Sequence, residues 1–488
     1  MTKAYIFFSV HEQLFHRMAE RLRERGVDSF SGFAWGKAQA SALEHRGIDY
    51  DPLVVFTRDL LPKYDDAPPD LAWLQQRERE LGISIQRMLS AERHLIAGRT
   101  FEQIMRMAEV GLREIAAAYD RIRPDFVFSE DIACFHSYAH FVLARERGIP
   151  YWCIGGARLP YRIAVYSAGM QHYERVEAAF AEYRRSGLPG EQRAAAEEYI
   201  TTFRDRPKRP SGMASRAAAP RMGRADFEIL RLAANRYRAD REDPTANPPL
   251  RAFAQRLRRM ARIRAADVLH VFDQPVEGEK FVLYPIHFQP EASTLVQAPM
   301  YLDQVALIDD MARSLPIGYR LYVKEHLSNR GRRPLEFYQA IRRIPAVRLL
   351  GPDADTWSLI KNASVIAVIT GTMGWEGLLF DKPVVSFGDV FYNTVPSVYR
   401  AGSTPKDGWY DLFQRALTSH VPDREALLAY IAALQVSSSP GFIANPVSFP
   451  EVLLAENVQL LVDGLAAAAG LVPATSRAQS AGPSHQHR

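Results

Sequence analysis

Between residues 368 and 388 two apolar runs are joined by Thr370, Gly371, Thr372, Met373 and Gly374, with Trp375 and Glu376 following. Small residues and hydroxyls between a strand and a helix make a seat for phosphate. Glycine lets the backbone come close to a ligand, and the free N–H groups of a helix start attract an anion. A capping box places its acid three residues after the cap. Glu376 lies four after Thr372, so it suits hydrogen bonds from ribose hydroxyls. The plain alternative is a strand–helix turn capped by Thr372. "YRLYVKEH" ends a second apolar run with Lys324, Glu325 and His326. Side chains alternate along a strand, so Lys324 and His326 share a face where an anionic leaving group could sit. The alternative is a solvated strand end with Glu325 paired to Lys324.

Three further runs end in polar clusters. "YPIHFQPEAST" places His287, Gln289 and Glu291 past its apolar part, as a site wall or a hydrogen-bonded loop. "DFVFSEDIACFHS" puts Glu130 and Asp131 directly after a strand. An acid there can act as general base toward a hydroxyl, although Asp131 itself reads as the cap of the next helix. "GGARLPYR" sets Arg158 and Arg162 at another strand end. Asp353 and Asp355 resemble the metal-binding Asp-x-Asp of some sugar transferases but precede a short helix, and they read as helix-start residues. No His/Cys spacing suggests zinc, and no P-loop or Gly-x-Ser-x-Gly is present, so no metal and no cofactor are expected.

The elements that position these residues alternate. "AYIFFSV", "DPLVVFT", "DFVFS" and "IPYWCIG" read as strands separated by helical segments, including a largely helical stretch over 71–121. After a Pro-, Arg- and Ala-rich change of composition over 204–250, the alternation resumes with "KFVLYPIHF", "YRLYVKEH", "VRLL", "SVIAVIT" and "KPVVSFG". Strands alternating with helices imply parallel sheets covered on both faces. At 488 residues the chain exceeds one core, so two α/β domains are expected. The expected divisions are 1–203, a linker or helical insertion over 204–275, 276–470, and a disordered tail over 471–488. Ligands of such sheets bind outside the carboxyl ends of the strands, where the polar clusters lie.

Composition narrows the classes. A net charge of +5 over 488 residues is mild and does not point to nucleic acid. Two cysteines exclude a disulfide framework. No run reaches the roughly 20 apolar residues of a membrane helix. Residues 4–10 read as a first strand, not a signal peptide, and a cytoplasmic setting is expected.

The segments "YPIHFQPEAST", "SLPIGYRLYVKEH", "VRLLGPDADTWSLIKNA" and "VITGTMGWEGLLFDKPVVSFGDVFYN", in that order, resemble the capsule polysaccharide biosynthesis family of bacterial glycosyltransferases. "SEDIACFHSYAHFVLARERGIPYWCIGGARL" adds to the likeness. The resemblance implies a GT-B fold of two Rossmann-like domains, with a nucleotide-sugar donor on the second and the acceptor toward the first. It implies sugar transfer to a growing capsular or surface polysaccharide or its lipid-linked precursor. His326 falls where similar enzymes keep a histidine near the donor phosphate. Thr370 and Thr372, flanking Gly371, fall at a small-hydroxyl phosphate motif. Glu376 falls at an acid common in donor domains, and Glu130 and Asp131 at an acidic pair with a catalytic member. Related sequences often have proline after the histidine; Leu327 here leaves that turn less rigid. A nucleotide-sugar epimerase of the same fold, and a non-catalytic glycan-binding or assembly protein of polysaccharide export, are the rival readings.

One segment outside the sheets has its own pattern. "RAFAQRLRRMARIRA" spaces Phe253, Leu257 and Met260 four and three apart, with Arg251, Arg258, Arg259 and Arg262 mostly on the other side. Such a helix either packs between domains with a solvated face or lies on the anionic inner face of a membrane.

Overall fold

The computed structural model describes residues 1–9, 11–207, 221–244 and 246–471. The tail expected beyond 471, and most of the Pro/Arg-rich stretch at 208–220, lie outside the described residues. The first sheet holds β1 (Thr2–Phe7), β2 (Val27–Ala34), β3 (Tyr50–Val55), β4 (Phe126–Ser129), β5 (Tyr151–Gly156) and β6 (Arg162–Tyr166). The second holds β7 (Phe281–Pro285), β8 (Arg320–Lys324), β9 (Val347–Leu350), β10 (Val365–Val368), β11 (Val384–Ser386) and β12 (Val398–Arg400). The two-residue β13 (Ser439–Pro440) returns to the first.

The first sheet runs β13-β6-β5-β4-β1-β2-β3 and the second β12-β11-β10-β7-β8-β9. All pairings are parallel except β5 with β6 and β6 with β13. Both sheets therefore follow the doubly wound order, in which the chain leaves its first strand one way and its fourth the other. The two domains are Rossmann-like and face each other across a cleft, the expected GT-B-like arrangement. β10 is fully buried, which matches its unbroken apolar run in a sheet covered on both faces.

Two crossings join the domains. The helix Gly190–Asp205 carries Phe203 onto Phe380 and Trp357 of the second domain. Its Arg204 donates to the Leu379 carbonyl at 2.6 Å and pairs with Asp381 at 2.6 Å. The helix Arg424–Ser437 runs back, with Tyr430 donating to the Phe391 carbonyl.

The chain then stays with the first domain, which differs from the expected 276–470 boundary. β13 pairs with β6, and the helix Ala455–Ala469 buries Val458, Leu461, Val462 and Leu465 against Ile6, Leu14 and Ile163. An apolar stripe records that a helix must be covered but not which sheet covers it. Arg162, read as a strand-end residue of the cleft, holds this return instead. Its guanidinium donates to Gln435 O and to Ser438.

The insertion between the domains contains the helices Arg224–Ala239 and Pro249–Val268, tied by Arg256 to Asp226 at 2.6 Å. Their hairpin touches both domains. Asp240 accepts from the Lys37 backbone N–H at 2.6 Å, while Arg259 donates to Ser328 O and Arg330 O at 3.0 and 2.8 Å. Arg262 donates to Arg332 O at 2.5 Å. Two arginines expected on a free outer face thus cap carbonyls of the loop after β8. The loop's turned-in carbonyls outcompete solvent for them.

Candidate active site

In a doubly wound sheet the crevice opens where strands one and four part. For the first sheet these are β1 and β4. The turn after β1 carries Ser9 and His11, and the turn after β4 carries Glu130 and Asp131. Ser9 donates its hydroxyl to Glu130 Oε2, and His11 Nε2 meets Oε1. Burial alone would lift the Glu130 carboxyl, but the His11 charge and the bonds from His11 and Ser9 outweigh it and hold the group below the usual range. Burial likewise disfavours the His11 charge, and Glu130 overrides it, raising the imidazole above its usual value. The pair is held ionised at the rim of the cleft, with the Glu130 side chain 27% exposed. Ser9 and His11 went unread in the sequence. The strand-end rule used elsewhere, applied to "AYIFFSVHE", points to them.

Asp131 behaves differently. It does not cap the following helix, whose N-cap is Cys134. Its Oδ1 accepts from the Ile132 and Met170 backbone N–H groups, both at 2.9 Å. Gln297 of the second domain reaches Oδ2 at 3.4 Å. Burial pushes this carboxyl up to about 6, against the pull of those bonds and of Arg158. Two neighbouring acids therefore have opposite proton affinities, because one has a cation against it and the other has mainly amides. Arg93 also reaches across here, donating to Pro290 O at 3.4 Å.

In the second sheet β7 and β10 part in the same way. His287, after β7, accepts the Thr370 backbone N–H on Nε2 at 3.1 Å. The proton of the imidazole is therefore on Nδ1. Burial, with His326 and Arg333 nearby, pushes the ring down to about 3, so His287 stays neutral and orders the turn. Gln304 braces the same loop, bonding His287 N, His287 O and Gln289 Oε1 at 2.7, 3.1 and 2.7 Å. Gln289 donates onward to Leu302 O at 3.0 Å, which makes it a loop brace and not a site wall. Glu291 takes the N-cap position of the short helix Ala292–Leu295 and accepts from Ser293 at 2.8 Å.

The opening turn resolves in detail. Gly371, not Thr372, is the N-cap of the helix Thr372–Leu379, with no side-chain cap. Its carbonyl accepts from Tyr392 at 2.6 Å. A Cβ on Gly371 would lie 3.0 Å from His287 Nε2, so the residue must be small for the imidazole to reach Thr370. Thr370 donates its own hydroxyl to Ser293 O at 2.7 Å, which spends its proton on the loop. Thr372 and buried Glu376, one helical turn apart, line a cavity of about 120 Å³ with Arg158, Tyr199 and Phe203 of the first domain. Arg158 holds a left-handed backbone, φ 62°, to point there. A strained non-glycine conformation at a cleft is typical of a functional constraint.

At the end of β8, Lys324 is buried and donates to Pro352 O at 3.1 Å, toward the β9 exit. Lys324 also reaches the Glu325 backbone carbonyl at 3.5 Å, while the Glu325 carboxylate has other donors. Fully buried, Glu325 accepts from His326 N, Asn329 and Tyr338 at 2.6, 3.1 and 2.8 Å. Its pKa is raised because burial outweighs those bonds and Arg333. His326 accepts the Ser328 N–H on Nδ1 at 3.1 Å, which puts the imidazole proton on Nε2. Asp355 caps its helix through Trp357 N at 3.0 Å, and Asp353 pairs with Arg330 at 3.1 Å.

Residues 279–409, the span from just before β7 to beyond β12, match the family described as capsule polysaccharide biosynthesis protein. The matched span contains the whole second sheet and the candidate residues from His287 to Glu376. Among solved structures, the beta Kdo 2,4 transferase of Thermosulfurimonas dismutans KpsC is similar at 13% identity and a TM-score of 0.37, over 70% of this chain and 87% of that one. UDP-GlcNAc 2-epimerase from Neisseria meningitidis bound to UDP-GlcNAc is similar at 13% identity and a TM-score of 0.23, over 89% and 98%. Anabaena Alr3699/HepE in complex with UDP follows at 12% and 0.30, over 97% and 100%. No curated protein matches the chain. Among the described residues, no helix is long and apolar enough to cross a membrane.

Proposed function

We propose that the protein is a glycosyltransferase that moves a sugar from a nucleotide-sugar donor to a growing capsular or other surface polysaccharide or its lipid-linked precursor. The work would be done at the cytoplasmic side of the inner membrane. The observation that supports this reading is the meeting of the two domains at their strand ends: Thr372 and Glu376 line one cavity with Arg158 of the first domain, and Gln297 of the second reaches Asp131, next to Glu130, at 3.4 Å. The donor diphosphate takes the helix start, where the first N–H groups and the Thr372 hydroxyl donate to it and Arg158 adds positive charge. Glu376 accepts from ribose. The acceptor hydroxyl enters from the first domain. As its oxygen bonds to the anomeric carbon, Glu130 takes its proton and the bond from that carbon to the phosphate oxygen breaks. The charge on the leaving phosphate is met by His326 Nε2–H and the helix N–H groups. Donors already aimed at the developing charge make a metal unnecessary in this reading. Lys324, Thr370 and His287 act by holding these groups in place.

A thermal-shift series with nucleoside diphosphates and monophosphates tests the donor half. A ligand that binds only the folded chain raises its melting temperature by mass action. One nucleotide should do so in the parent and much less in Glu376→Ala. No shift with any nucleotide would remove the donor site.

A further inference from the structure

The helix Pro249–Val268 has two unlike faces. Inward, Ile263 and Ala266 are buried, Arg256 is paired with Asp226, and Arg259 and Arg262 cap the loop carbonyls. Outward, Leu250, Phe253 and Leu257 are 85%, 42% and 43% exposed. They are spaced three and four apart and form one stripe. Beside that stripe Arg251, Arg258 and Arg264 are also exposed, and Asp267 is the helix's sole acid. Packing requires none of these outward apolar residues, since the inward face already seats the helix on the second domain.

Charge gives the stripe a direction. Residues 221–268 hold twelve arginines against six aspartates and glutamates, a local net of +6. The whole chain carries +5, so the remainder is near neutral. The basic excess is concentrated on the same hairpin that exposes the apolar stripe. A helix with leucine and phenylalanine on one side and arginine flanking it is built to lie in the plane of a membrane interface. The same hairpin contacts both domains through Asp240 and Arg259.

We infer that the outward face of the Pro249–Val268 helix docks the protein on an anionic bilayer, with Leu250, Phe253 and Leu257 in the headgroup–acyl boundary and Arg251, Arg258 and Arg264 against lipid phosphates. This goes beyond the transfer reading and does not depend on it. The test is flotation of the full chain with phosphatidylcholine vesicles, with and without phosphatidylglycerol, at low and high salt. Binding is expected only with phosphatidylglycerol and is expected to fall at high salt. Each arginine near an anionic leaflet contributes about fivefold in affinity. Arg251, Arg258 and Arg264 changed together to Glu should therefore lose about two orders of magnitude or more. A second variant, Leu250, Phe253 and Leu257 to Ser, should also release the protein. All six side chains are exposed, and unchanged melting and nucleotide shifts serve as the folding control. Absence of parent binding to phosphatidylglycerol vesicles, or binding by both variants as tight as the parent's, would overturn the proposal. Concentration-dependent dimerisation lost in the serine variant would assign the stripe to a second copy instead.

Discussion

Replacing Asp131 by asparagine keeps the shape of the side chain and removes its charge. Burial lifts this carboxyl from 3.8 to about 6. The folded chain therefore holds the proton longer than the unfolded chain does. The stability cost of the ionised form is absent below about pH 3.8, grows as pH rises to about 6, and is constant above. About two units at 1.36 kcal/mol each would make roughly 3 kcal/mol; partial exposure and screening trim this to about 1–3 kcal/mol. Asparagine can still accept from the Ile132 and Met170 N–H groups. Gln297, whose Oε1 lacks a partner among the described residues, can turn its amide to accept from the new NH₂. Asp131→Asn should then melt several degrees above the parent at pH 8, at about 2–4 °C per kcal/mol. The gain should shrink below pH 6. Two domains that share core need not unfold in one step, so the pH dependence of the difference is the quantity to read. A variant less stable than the parent at pH 8, or a difference indifferent to pH, would show that Asp131 is a stabilised carboxylate and refute the reasoning.

His326→Ala should lower transfer roughly 10²–10³-fold with melting unchanged, the usual effect of losing one donor to a leaving oxygen; turnover at saturating donor checks it. Glu376→Ala should weaken nucleotide binding in calorimetry more than it slows saturated turnover, and Glu130→Gln should do the reverse. Because His11 holds Glu130 below the ordinary carboxylate range, transfer should persist to lower pH than an ordinary acid would allow. His11→Ala should move that acid limb upward, since burial is then less opposed; a pH–rate profile that does not move would leave His11 out. EDTA should leave transfer intact, because Asp353 and Asp355 are engaged with Arg330 and the Trp357 N–H. Loss restored by magnesium or manganese would reverse this.

Much of the frame was legible because strand ends are marked by apolar runs that stop at polar residues. The β10 turn, Glu130 and His326 become candidates that way, and the two parallel sheets follow from the same alternation. What stayed hidden depends on three-dimensional partners. Nothing local in "YPIHFQPEAST" tells that His287 accepts the Thr370 N–H, a contact across 83 residues. Lys324 and Thr370 looked like ligand contacts, yet each is engaged by a carbonyl from a distant loop. Asp131 looked like a helix cap, but Cys134 takes that position. Arg259 and Arg262 looked free because periodicity gives a helix face and not its neighbour. The return of residues 439–470 to the first sheet was equally unreadable, since a covered stripe fits either domain.

The most direct measurement of the central claim follows the fate of a bound nucleotide-sugar, identified by its thermal shift, with and without an acceptor glycan fraction from capsule-forming cells. The account predicts nucleotide release that depends on acceptor, with the sugar recovered covalently on the glycan, and loss of both in Glu130→Gln. Conversion of the sugar without acceptor would make the protein an epimerase. An unchanged donor, despite tight glycan binding, would make it a binding or assembly protein and contradict the account.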